Sequence, residues 1–353
     1  MELKELAARA CEVRASDIFL KVGSPPSMRV DGRITELGQY PALTNEDVQT
    51  LAYSIMSHEQ IGRFERRHEL DLAFTIDGVA RVRANVYQQR GTPGIVLRLI
   101  PLAINSLEEL GMPKAIGELA TLRQGLVLVT GPTGCGKSTT LAAIIDVVNK
   151  TRRCNIITVE DPIEFVHEDK KSIVNQREVS IDTDSFTDAL KSVVRQSPDV
   201  ILIGEMRDVE TMNVALAASE TGHLVFSTVH TCSAAETLDR IMNMFPPHDK
   251  PQVCMRLSVA LKSVISQKLV PRADGKGRVA AVEIMIASPT ISKLLEEGRS
   301  SQIYQQLAEG DFYGMQTMNQ CLASYYKSGL ISEEEALANA GNYTELKQML
   351  RRQ

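Results

Sequence analysis

Gly131–Ser138 reads GPTGCGKS, which is the spacing G-x-x-x-x-G-K-S. Glycines there let successive backbone N–H groups converge on phosphate oxygens, and a helix starting behind them adds its positive end. Lys137 can reach the outer phosphates, and the Ser138 hydroxyl can hold Mg²⁺. Gly131, Thr133, Gly134, Cys135, Gly136, Lys137, Ser138 and Thr139 are therefore the candidate nucleotide contacts. A phosphate loop also needs acids to hold the metal or orient water. ITVEDPIEF offers Glu160, Asp161 and Glu164, and DVILIGE ends in Glu205. Carboxylates gathered at one edge repel unless a cation sits between them, and Mg²⁺ fits. Either Glu164 or Glu160 is expected to activate water, with Glu205 and Ser138 placing Mg²⁺ in part through water. His223 and His230 bracket GHLVFSTVH at a spacing wrong for a His-x-x-x-His metal pair. Beside a terminal phosphate an imidazole can instead donate a hydrogen bond that senses it, a role expected of His230 first and His223 second.

These residues need strands that stop where they begin. Four apolar runs do so: GLVLVT before GPTG, NIITV before EDPIE, DVILI before GEMRD, and HLVFS before TVH. Such continuous runs suit parallel strands covered on both faces, with ligands beyond their carboxyl ends. Helical patterns alternate with them. DSFTDALKSVVRQ aligns Phe186, Leu190, Val193 and Val194, and SAAETLDRIMNMF opens with a Ser233–Glu236 capping-box pair. The fold class expected is α/β with a mainly parallel sheet.

The first hundred residues read as a smaller mixed domain. Leu3, Leu6, Ala7 and Ala10 fit one helix face, and NEDVQTLAYSIMSHEQIGRFERR reads as one helical stretch. Asp31-Gly32 and Asp77-Gly78 are hairpin-turn signals. In VARVRANVYQQR the apolar frame is Ala80, Val82, Ala84 and Val86; Arg81, Arg83 and Asn85 take the other. The boundaries expected are a domain over 1–100, a linker over 101–113, a phosphate-loop core over 114–287 and a helical subdomain over 288–353.

Composition narrows the classes. The chain has 353 residues, a net charge of −5 and no tryptophan, which disfavours a nucleic-acid partner because phosphate backbones demand a basic surface. No apolar run approaches the roughly 20 residues of a membrane span, and MELKELAARACEVRASD is not a secretory signal; a cytoplasmic location is expected. Six scattered cysteines without a C-x-x-C pair disfavour structural zinc. The string nearest to a guanine-reading Asn-Lys-x-Asp is NKTR at Asn149–Arg152, which lacks the aspartate, so ATP is favoured.

GPTGCGKSTT, ITVEDPIEFVH, SVVRQSPDVILIGEMRDVET and TGHLVFSTVHT together resemble the secretion-ATPase superfamily, and within it the PilT-type retraction ATPases of type IV pili. The similarity runs from ASDIFLKVGSPPSMRVDGRI to GMQTMNQCL. It implies a PAS-like N-terminal α+β domain, a RecA-like core and a homohexameric ring. It also implies Mg-dependent ATP hydrolysis, an inner-membrane pilus platform protein as partner, peripheral attachment there, and at times a paralogous pilus ATPase. The family's phosphate-approaching arginines fall on Arg81, Arg83 and Arg98. The stretch ASPTISKLLEEG lacks the arginine of the family's Ala-Ile-Arg-Asn-Leu signature. An accessory PilU-like ATPase, a nucleotide-gated scaffold and a VirB11-like ATPase stay open beside it.

Overall fold

The computed structural model describes residues 2–13, 15–30, 33–101 and 103–351. The chain divides between Ala103 and Ile104 into two compact units. In the first, six strands form one antiparallel sheet in the order β3-β2-β1-β6-β5-β4. They are β1 (Asp17–Lys21), β2 (Ser27–Val30), β3 (Arg33–Glu36), β4 (Glu69–Ile76), β5 (Ala80–Gln89) and β6 (Thr92–Pro101). Period-two alternation in β5 buries Ala80, Val82, Ala84 and Val86 and leaves Arg81 and Arg83 half-buried on the other face. The helix Leu3–Glu12 buries Leu6, Ala7 and Ala10 against this sheet's core. Asp77-Gly78 makes the expected turn, with Gly78 at φ 75°. The Asp31-Gly32 turn lies outside the described residues. The single helical stretch expected after it is two helices, Asn45–Ser54 and His58–Arg67. The Ser57 side chain accepts from the Gln60 N–H in a capping box and starts the second one afresh.

The second unit is built on a seven-stranded sheet of order β13-β12-β7-β11-β10-β8-β9. Its strands are β7 (Gly125–Thr130), β8 (Asn155–Glu160), β9 (Ile173–Glu178), β10 (Val200–Ile203), β11 (Leu224–Val229), β12 (Leu261–Pro271) and β13 (Arg278–Ile286). Every pairing is parallel except β12 with β13. In β7, Leu126 and Leu128 enter one core while Val127 and Val129 enter another, so both faces are covered. This is the α/β, mainly parallel class expected. Three strands that the apolar runs did not announce, β9, β12 and β13, extend the sheet at its two edges.

Two local readings change. Val194 is 41% exposed, because the helix Phe186–Val193 ends just before it. Ser233 caps the helix Ala234–Met244, but the Glu236 carboxylate accepts from the N–H of Cys232 rather than of Ser233, so the capping box is incomplete. Within the 101–113 stretch, Leu107 is buried in the second unit's core, with Leu110 and Met112 packed beside it. Helices from Pro289 to Arg351 follow, and Met318, Leu322 and Leu346 pack on Val270 of β12 and Ala281 of β13.

Candidate nucleotide site

Because β7, β8, β10 and β11 run parallel and in register, their carboxyl ends share one edge, and Thr130, Glu160, Gly204 and His230 stand at it or just beyond. From Thr130 the chain turns through the glycine loop into the helix Lys137–Thr151. Gly131, Gly134 and Gly136 take φ of 139°, 78° and 91°, backbone that other residues rarely adopt. At Gly131 a Cβ would lie 2.3 Å from the Gln267 carbonyl oxygen and 2.6 Å from the Cys135 Sγ. Lys137 is buried, and its Nζ donates to the carbonyls of Gly131 and Pro132 at 2.9 and 3.0 Å. The ammonium is thus folded over the mouth of its own loop. Ser138 and Thr139 are half-buried in the helix's first turn.

The acids stand along the same edge of the sheet. Gly204 is what lets two strand ends close up: a Cβ there would meet the Glu160 Cα and the Val159 carbonyl, both at 3.3 Å. Its own N–H donates to Val159 O at 2.8 Å, and its carbonyl accepts from the Thr228 hydroxyl at 2.7 Å. The backbone that leads into Glu205 is held against that of Glu160 in this way. The Glu160 Oε1 accepts from the Thr158 hydroxyl at 2.7 Å and from Gln176 Nε2 at 3.2 Å. Burial pushes the Glu160 carboxyl above the usual range, against those hydrogen bonds, and the charge of Glu164 adds to the rise. Glu205 pairs with Arg207 at 2.6 Å and lies 3.6 Å from His230 Nε2. Desolvation first, then the Lys137 charge, depresses the His230 pKa, with Glu205 opposing. Its imidazole is therefore neutral at pH 7, able to donate one hydrogen bond and accept another. Asp161 is exposed and Glu164 half-buried.

The structure does not bring His223 to this edge. It precedes Leu224 at the amino end of β11, where its carbonyl accepts from Gly125 N–H and its Nδ1 lies 2.9 Å from Ala218 O. Seven residues of extended chain put it roughly 20 Å from His230. A chain entering and leaving the same strand cannot show both ends to one ligand.

Arg81, Arg83 and Arg98 lie in the first unit. Arg83 faces Arg98 across β5 and β6, and Arg98 faces Asp17 across β6 and β1. Arg98 Nε donates to Asp17 at 3.0 Å and Arg29 approaches the same carboxylate at 3.3 Å, so one buried acid anchors part of a basic row.

Three contributors escaped the sequence reading: Thr158 and Gln176, which orient Glu160, and Gln267, which touches the loop. Only Thr158 was findable, by its place two residues before Glu160 in an alternating strand.

A glycine loop clamped over its lysine, with two carboxylates and a neutral histidine at the ends of adjacent parallel strands, defines a P-loop nucleotide-binding protein of the α/β class. The type II/IV secretion system family model matches residues 2–351. The chain belongs to that family and groups with its PilT-type members. It is 48% identical over 340 residues to the type IV pilus retraction ATPase PilT of Pseudomonas aeruginosa, covering 96% of this chain and 98% of that one. To the type IV pilus ATPase PilU of the same organism it is 41% identical over 351 residues, covering 99% and 92%. A crystal structure described as the pilus retraction motor PilT with bound ADP matches at a TM-score of 0.92 and 47% identity, over 99% of both chains.

Proposed function

We propose that this protein is a Mg-dependent ATPase that powers type IV pilus retraction, and so twitching motility. The observation that carries this is the gathering of Lys137, Glu160, Glu205 and His230 at one strand edge, in a chain similar over almost its whole length to a retraction ATPase. ATP lies with its phosphates on the loop from Gly131 to Thr139, and Lys137 moves from its carbonyl partners to the outer phosphates. Mg²⁺, held by Ser138 and through water by Glu205, would neutralise developing charge; hydroxyl and carboxylate oxygens are the hard ligands it takes. Glu160, oriented by Thr158 and Gln176, draws a proton from the attacking water, with Glu164 the other candidate. The neutral His230 donates to the terminal phosphate and reports its loss to Glu205.

We further infer a homohexameric ring in which Arg81, Arg83 and Arg98 of another subunit supply charge to the triphosphate. Its partner would be an inner-membrane platform protein, which would keep an otherwise cytoplasmic ring at that membrane. No helix among the described residues is long and apolar enough to span one. Working boundaries are 1–100, 101–113, 114–287 and 288–353. An accessory PilU-like role is the second reading, favoured by 41% identity to PilU and by the helix Pro289–Glu296, which lacks the arginine of the retraction signature.

The test is replacement of the gene by Lys137→Ala in its own piliated host. Cells that keep surface pili but stop twitching support retraction. Bald cells would point to extension, normal twitching would contradict any motor role, and retained but weakened twitching would favour the accessory reading.

A further inference from the structure

Beside the nucleotide loop, β12 carries a side chain that the steps above leave unused. Gln267 follows Ser266, which is in register with Thr130, the last residue of β7. Gln267 is only 2% exposed. Its Nε2 donates to the Cys135 carbonyl at 2.7 Å, and its Oε1 accepts from the Thr140 hydroxyl at 2.8 Å. One amide plane therefore ties the middle of the loop to the first turn of the helix that carries Lys137 and Ser138. The same residue bounds the loop at both ends. Its carbonyl oxygen is what a Cβ at Gly131 would strike at 2.3 Å, and its Nε2 is what a Cβ at Gly136 would meet at 2.9 Å. Among neutral side chains of this length, only a glutamine offers a donor and an acceptor in one plane. Without it the Cys135 carbonyl and the Thr140 hydroxyl would be buried and unpaired, which is costly.

We propose that Gln267 is a positioning residue for the nucleotide: it sets the curvature of the loop so that its N–H groups converge before any phosphate arrives. This inference rests on the nucleotide-site reading under Proposed function. The gain is preorganisation, since a loop already ordered by folding loses less freedom when ligand binds. Gln267 contacts loop backbone and Thr140 rather than the reacting atoms, so its removal weakens binding of ground state and transition state alike. That appears in the affinity and KM, not in kcat.

The test titrates the full-length protein with a fluorescent ADP analogue and Mg²⁺, comparing wild type, Gln267→Met and Lys137→Ala, with ATP turnover measured on the first two. Methionine keeps the length and volume but neither hydrogen bond. Expected for Gln267→Met is roughly tenfold weaker analogue binding, the scale of two neutral buried hydrogen bonds, with KM for ATP rising in step. Its kcat should stay within about threefold of wild type. A folded Gln267→Met protein with wild-type affinity and KM would overturn the proposal, because mere packing would be preserved. If that variant does not fold, Thr140→Val serves: it removes one arm of the brace, and several-fold weaker binding supports the proposal while unchanged binding overturns it. Wild-type protein that fails to bind, or Lys137→Ala that binds as wild type does, would refute the nucleotide-site reading instead.

Discussion

Among the single side chains, the mechanism proposed above gives Glu205 and Glu160 two tasks that kinetics can separate. Glu205 is already paired with Arg207 and near His230, so Glu205→Gln should leave nucleotide binding intact while slowing hydrolysis by roughly 10²–10³, the usual scale for removing one transition-state electrostatic group. Equal slowing of binding, read by equilibrium titration, would count against that division. Glu160 makes its own prediction through acidity. Burial chiefly, and Glu164 in addition, hold its carboxyl above the ordinary glutamate range. A base must be deprotonated, so turnover should fall as pH drops through that raised value. Replacing Glu164 by Gln removes a like charge and should move this acid limb to lower pH in a pH–kcat profile. A Glu164→Gln enzyme with no turnover would transfer the role of base to Glu164.

The elements explain which of these residues could be read in advance. GPTGCGKS and the acids of EDPIE carry their meaning in short-range spacing, and the strands before them are continuous apolar runs; both were legible. Gln267, Gln176 and the strands β9 and β12 were not. β12 buries Ser263, Ser266 and Gln267 almost fully, so its sequence does not read as an apolar run. These polar groups are satisfied by Met285, Thr130, Cys135 and Thr140, distant partners that no local window contains. His223 failed for the opposite reason: motif proximity to His230 concealed that a strand separates them. The helix Lys137–Thr151 shows the same long-range logic at its far end. Buried Asp146 pairs with Lys150 at 2.6 Å and with Lys170. Burial works against its charge, but the lysine hydrogen bonds outweigh this and hold the carboxyl below the usual range. A depressed folded-state pKa contributes stability above the unfolded value, about 3.9, that is lost as pH falls through the folded one. Asp146→Asn should therefore lower the melting temperature at pH 7, and the gap to wild type should close as pH falls through the depressed folded-state value. A gap that persists in acid, seen by thermal melts across pH, would mean packing rather than charge sets the effect.

For the whole molecule, the parallel sheet delivers loop, acids and histidine to one edge, while the basic row of Arg83, Arg98 and Arg29 lies on a separate antiparallel sheet. β12 joins the site to the C-terminal helices: Gln267 holds the loop and its neighbour Lys268 donates to the Asn339 carbonyl at 2.9 Å. The proposed ring predicts sedimentation as a hexamer in Mg-ATP, and Arg83→Ala should slow turnover in the assembly without lowering the melting temperature of the chain. A monomer under every condition would remove the inter-subunit role of the arginines. Steady-state phosphate release from Mg-ATP, with wild-type and Lys137→Ala proteins side by side, is the most direct measurement. Sustained release by the wild type and none by the variant is the expected result; equal release from both would contradict hydrolysis at this loop.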